Sequence, residues 1–154
     1  RPRFTAPGGG PDMIFEFEDF VLVVEVTLTS SSRQEAAEGE PVRRHVAQYV
    51  DQYPDKEVYG LFVANTIDTN TAETFRIGVW YRNDDSSIAL RIVPFTLAQF
   101  TEIFRQAFLH QGRLNPEQLY DLIIRCRAES NAAAPDWKRA IDRNVTRVCT
   151  SFAQ

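Results

Sequence analysis

An acidic residue inside a hydrophobic strand constrains this chain more than any other feature: Glu25 interrupts the run Leu22, Val23, Val24, Glu25, Val26, Thr27. Short apolar runs rich in β-branched residues read as buried strands. An ionised carboxylate removed from water without compensation costs several kcal/mol, so Glu25 must be paired, neutralised or bound to metal. The neighbouring sequence offers a companion. Residues 12 to 17 and 20 to 29 alternate or run apolar around Glu18 and Asp19, which predicts an antiparallel hairpin with a central second strand, Val21 to Leu28. Adjacent strands lie about 4.8 Å apart, so the hairpin can bring Asp12, after Pro11, to the same end of the sheet as Glu25. Two carboxylates there repel one another. A hard divalent cation such as Mg²⁺ relieves that repulsion and prefers oxygen ligands.

Beyond the hairpin the pattern is α/β. Val42, Val46, Tyr49, Val50 and Tyr53 recur on one helix face, with Pro41 suited to a first-turn position. Val58 to Ala64 reads as a third strand. Asn70, three residues before Glu73, predicts a capping-box start for a helix running through Phe75 and Val79, although Phe75, Ile77, Val79 and Tyr81 also alternate as a strand would. Ile88 to Val93 reads as a strand, and everything after Pro94 as helix. Thr96 caps a stripe of Leu97, Phe100, Phe104, Ala107 and Phe108; Asn115 and Pro116 open a second helix, and Pro135 a third. The expected architecture is a mixed central sheet flanked by helices, with a helical C-terminal part. No repeat and no second domain is visible.

The 154 residues, 44% hydrophobic and 25% charged, are enough for one domain with its own core. No apolar run is long enough to cross a bilayer and no signal peptide opens the chain, so a cytoplasmic setting is the default expectation. Cys126 and Cys149 are too few and too isolated for a disulfide framework or a zinc site, and both fall on apolar helical stripes as inert thiols. The glycines of the lead-in Pro7, Gly8, Gly9, Gly10, Pro11 lack the following Lys and Ser/Thr of a nucleotide-binding loop. His110, beside Gln111 and Gly112 at a helix exit, has no partner that can be named.

Read together, Gly8, Gly9, Gly10, Pro11 and Asp12, the strand Val24, Glu25, Val26, Thr27, Leu28, Thr29, and then Ser32, Arg33, Gln34, Glu35, Ala36, Glu38, Gly39, Glu40, Pro41, Val42, Arg43, Arg44 and His45 resemble the PD-(D/E)xK nucleases. Within them the likeness is to AlwI-like type IIS restriction and nicking endonucleases. It is dense from about residue 6 to 47 and looser to Val93. The resemblance implies that Asp12 and Glu25 are the metal-binding acids, joined by the backbone carbonyl of Val26, with Mg²⁺ as cofactor and Mn²⁺ able to substitute. The superfamily's usual lysine, two positions after the glutamate, is here Thr27. In the AlwI-like subgroup a downstream glutamate and histidine accompany the acids, and the matching positions are Glu38 and His45. Seven residues apart, they share one face of a continuous helix, unless Gly39 and Pro41 interrupt it. Glu38 is expected to orient the attacking water or hold a second ion, and His45 to assist proton transfer or contact phosphate. Family members carry a further acid upstream, which this chain begins too late to show. Arg33, Arg43 and Arg44 are candidates for DNA phosphate contacts.

The implied activity is metal-dependent hydrolysis of DNA phosphodiester bonds. Expected partners are double-stranded DNA, an N-terminal recognition domain in a longer protein of which residues 1 to 154 form the cleavage domain, and a second cleavage subunit or homodimer for double-strand cutting. A net charge of −4 runs against binding through phosphate neutralisation, but metal-binding acids and a separate recognition part account for it. Plainer readings stand beside these. Asp12 can be a turn residue, Glu25 a strand residue paired with arginine, Glu38 a solvated helix residue, His45 a packed histidine, and Arg43 and Arg44 solubilising charges. Thr27 in place of lysine leaves open a non-catalytic DNA-binding or assembly module with a nuclease fold. A metal-dependent hydrolase of some other substrate is a third reading.

Overall fold

The computed structural model describes residues 2–4, 9–30 and 33–154. Arg1, Pro7 and Gly8 of the lead-in and Ser32 of the matched stretch lie outside the described residues. The elements in chain order are β1 (Pro2–Phe4), β2 (Met13–Glu16), β3 (Phe20–Thr27), α1 (Arg33–Gln52), β4 (Glu57–Ala64), α2 (Thr69–Ile77), β5 (Val79–Tyr81), β6 (Ser87–Ala89), β7 (Ile92–Thr96), α3 (Leu97–Gln111), α4 (Pro116–Ala128) and α5 (Ala134–Ser151).

The valines of β3 are stiff at χ1 and favour extended backbone, and burial on both faces selects that form: Val21 to Val24 are all 0% exposed. β3 is accordingly the middle strand of a five-stranded mixed sheet of order β1-β2-β3-β4-β7. The expected hairpin is present, with Met13 opposite Val24 and Glu16 opposite Val21. Connections through helices make β3, β4 and β7 parallel. Side chains alternate along each strand, so Val21, Val23, Glu25 and Thr27 share one face with Gly60 and Phe62 of β4. α1 and α2 cover that face. A Cβ on Gly60 would stand 2.8 Å from Val46 and 2.9 Å from Ile92, so glycine is what lets α1 approach the sheet. The Phe62 ring meets Phe75 of α2 at 5.1 Å. On the opposite face Tyr120 of α4 packs on Phe20 at 4.5 Å and edge-on to Tyr59 at 5.7 Å. α5 packs against α2, α3 and α4. Its fully buried Trp137 donates to the Cys126 carbonyl at 2.8 Å.

Several boundaries differ from the sequence reading, each for a local reason. α1 begins eight residues before Pro41, so this proline lies inside the helix and not in its first turn. Neither it nor Gly39 breaks α1, because Gln34, Val42, Val46 and Ala47 are buried and hold both halves to the molecule. α2 is capped by Asp68, whose carboxylate accepts from Asn70 and Thr71 N–H, so Asn70 lies inside the helix. It stops at Ile77, where Gly78 takes φ 60° as a left-handed C-cap. Val79 to Tyr81 therefore form a strand paired with Ser87 to Ala89, not the end of a helix. The expected strand Ile88 to Val93 is split between this two-stranded ribbon and β7, which itself runs past Pro94 to Thr96. β1, a three-residue strand, was not foreseen. Thr96 and Asn115 cap α3 and α4 as expected. Both cysteines are free, and burial pushes the Cys126 thiol up to about 12.

Candidate active site

The acids reach one end of the sheet because the sheet and α1 run side by side. α1 returns antiparallel to β3, with one face towards the row Val21, Val23, Glu25, Thr27. Two turns separate Glu38 from His45, about 10.5 Å of rise on one helix face. Glu38 consequently reaches Thr27 while His45 reaches Glu25. The Thr27 hydroxyl donates to Glu38 Oε1 at 2.9 Å, and the Thr29 hydroxyl to the same oxygen at 3.3 Å. His45 Nδ1 is hydrogen-bonded to Glu25 Oε1. Both partners are largely buried, their side chains 9% and 13% exposed.

Asp12 immediately precedes β2, one step beyond the Met13–Val24 pair, which sets it opposite Glu25. Its carboxylate accepts from the Val26 N–H at 2.7 Å and is otherwise open to solvent. The structure thus brings Asp12, Glu25, Val26, Glu38 and His45 to the C-terminal end of β3. Burial pushes the Glu25 carboxyl above the usual carboxylate range and the Asp12 charge adds to that rise, while the His45 hydrogen bond and charge oppose it. His45 Nε2 is buried with no hydrogen-bond partner among the described residues. A lost partner for a buried ring nitrogen is costly, so the ring is held here by what Glu25 returns to it.

Among the described residues no three His, Cys, Asp or Glu side chains surround a common metal position. Glu25 is turned to His45, and Glu38 to its two threonines. Arg33 is exposed at the start of α1. Arg43 donates to the Gly39 carbonyl at 3.1 Å and stacks over Trp80 at 5.8 Å, and Arg44 stands 3.8 Å from Glu40. On a helix, positions 43 and 44 lie about 140° and 120° around from Glu38, so neither arginine stands beside the acids.

Two residues matter more than the sequence reading saw. Thr27 is not only a missing lysine but the anchor of Glu38. Gln34, 0% exposed, donates to the Thr29 and Thr66 carbonyls at 2.9 and 2.8 Å and accepts from the Asp68 N–H at 2.9 Å. It ties the loop after β3 to the loop after β4, at the end of the sheet that carries the acids. Its signal was available: Gln34, Glu38, Val42 and His45 fall at helical spacing and extend the Val42–Val46 face with polar side chains.

Comparison with curated proteins found no match. Among solved structures the chain is similar to the small subunit of the heterodimeric restriction endonuclease R.BspD6I, with a TM-score of 0.69 and 24% identity over 92% of this chain and 70% of that one. At that identity the likeness shows the fold, which is that of a restriction endonuclease subunit. The family model for AlwI restriction endonuclease matches residues 1–103, spanning the hairpin, α1 and every candidate acid. The chain therefore belongs to the AlwI restriction endonuclease family.

Proposed function

We propose that this chain is the cleavage domain of a type IIS restriction or nicking endonuclease, hydrolysing DNA phosphodiester bonds with Mg²⁺ at the C-terminal end of β3. One observation carries the reading: in a chain of this family, Asp12 and the largely buried Glu25 occupy facing positions at one margin of the sheet. The donor set is all oxygen and includes no lysine to offset the pair, which fits a hard divalent cation. Asp12, Glu25 and the Val26 carbonyl would hold it, with Glu38 available to a second ion. When bound, Mg²⁺ supplies polarisation of a phosphate oxygen and a lowered pKa for water. The protein supplies position. The Val26 N–H aims Asp12, His45 holds the largely buried Glu25, and Thr27 and Thr29 fix Glu38 where it can orient the attacking water. With its Nδ1 committed to Glu25, His45 is a positioning residue.

A single such site nicks one strand. Cutting both requires a second site, and the similar R.BspD6I chain is one subunit of a heterodimer; a partner cleavage subunit, double-stranded DNA and a separate recognition domain belong to this proposal. The Thr27 departure favours one other reading, a non-catalytic DNA-binding or assembly module. Supercoiled plasmid with Mg²⁺ separates the two. Conversion to the nicked form that disappears in EDTA, in Asp12→Ala and in Glu25→Ala supports cleavage; nicking that survives either substitution refutes the assignment.

A further inference from the structure

Lys138, Arg139 and Arg143 come from α5, beyond the stretch that matches the family model. With Thr69, Pro135 and Asp142 they line an open groove at the start of α2. Lys138 also borders a neighbouring depression with Thr66, Thr96 and Gln99. These loops leave the same end of the sheet as the acids: Ala64, the last residue of β4, pairs with Thr27 on one side and Thr96 on the other. A bonded path joins the two places. Thr27 holds Glu38, Gln34 bridges Thr29 to Thr66 and Asp68, and Lys138 Nζ donates to the Ile67 carbonyl at 2.7 Å, 3.4 Å from the Thr69 hydroxyl.

The groove's charge is available. No carboxylate pairs with Lys138 among the described residues. Arg139 pairs with Asp136, and Arg143 stands 4.0 Å from Glu129, with all four side chains well exposed. Such exposed pairs are weak and yield to a phosphate, for which the guanidinium fork is suited. Asp142, the one acid lining the groove, accepts from Gln99 at 3.0 Å. Against one lining acid, Asp142, the three cations leave the groove positive in a chain of net charge −4, which marks where a polyanion is drawn.

We propose that this groove binds backbone phosphates of the DNA strand as it runs away from the scissile bond. Two strand spacings, about 10 Å, separate Thr27 from Thr96. Thr96 lines the depression between the acids and the groove, so at about 3.4 Å of rise per nucleotide the contacted phosphates lie at least about three nucleotides from the one cleaved. The inference rests on the nuclease reading, and its test keeps the two apart.

Anisotropy of a fluorescein-labelled DNA duplex, titrated with the chain in Ca²⁺ at several NaCl concentrations, reads both affinity and salt dependence. Arg139→Glu with Arg143→Glu should weaken binding at least about tenfold and lower the slope of log affinity against log salt by about 2, at 0.9 per phosphate contact. Lys138→Gln should lower it by about 1. Arg82→Gln, whose charge pairs with Asp51 near the far end of α1, should change neither. Both arginines are exposed, and unchanged melting temperatures will show that the fold is intact. Unaltered affinity and slope in the double variant, with Asp12-dependent plasmid nicking retained, overturns the groove and leaves the nuclease standing. A native chain that neither binds the duplex nor nicks plasmid overturns both.

Discussion

Gln34→Leu is the substitution most revealing of how this end of the sheet is held. Leucine nearly preserves side-chain volume, so the change removes hydrogen bonds without opening a large cavity. Three are lost: two to the carbonyls of Thr29 and Thr66 and one from the N–H of Asp68, all between 2.8 and 2.9 Å. A net bond contributes about 1 kcal/mol, and a buried group left unpaired costs about 1–3 kcal/mol. Thr66 is exposed and Thr29 and Asp68 are partly so, which lets water recover some of the loss. Three groups at about 1 kcal/mol each, the low end of that range, give an expected destabilisation of about 3 kcal/mol. For a chain of this size that corresponds to a fall in Tm of about 6–12 °C. Urea unfolding followed by tryptophan fluorescence measures it, with an unchanged m-value confirming that the denatured state is not altered. Plasmid nicking, assayed where the variant is still folded, should also fall, because Thr29 and Thr66 lose their common tether. A loss below about 1 kcal/mol would refute the bridging role, since it would mean that all three backbone groups find equivalent partners without Gln34.

Thr27→Val removes the closer of the two hydroxyls on Glu38 and should lower nicking by about 10-fold or more, as loss of an orienting partner does, while stability changes by less than about 1 kcal/mol. A full-rate Thr27→Val would show that Glu38 needs no anchor. Glu25 tests the electrostatics. Its raised pKa means that its protonated form stabilises the fold below the ordinary glutamate value, a contribution lost as pH rises through the raised value. Glu25→Gln keeps an acceptor for His45 but does not titrate, so in EDTA its Tm relative to the native chain should climb as pH rises above the ordinary glutamate value. A pH-independent difference would contradict this. Gly60→Ala drives a methyl into Val46 and Ile92 and should cost about 1–3 kcal/mol in urea unfolding, against a near-neutral result if α1 could simply shift.

The hairpin, the central strand, the helix starts at Thr96 and Asn115, and the α/β class were legible because each rests on local chemistry: alternation, a capping hydroxyl or amide, or a proline at a helix start. The first two turns of α1 were not. Their inward face carries Gln34 and Glu38, and apolar periodicity is blind to a buried face made of polar groups. The ribbon formed by β5 and β6 was missed for the opposite reason. Val79 and Tyr81 are exposed at 40% and 66%, so their alternation reflects pairing with the neighbouring strand β6 across a short turn and not burial, and the helix signal upstream masked it.

What the sequence alone determined was that a carboxylate stood where only a partner or a metal could keep it, with another acid thirteen residues before it able to reach the same margin. Which groups actually surround it was decided by tertiary structure. The return of α1 across β3 gave His45 to Glu25 and Glu38 to Thr27, and α5, more than a hundred residues later, set Lys138 on the loop after β4. Local propensity fixes which segments are helix or strand, but contacts between segments far apart in the chain depend on layer order and register, and these are chosen only when the whole core packs.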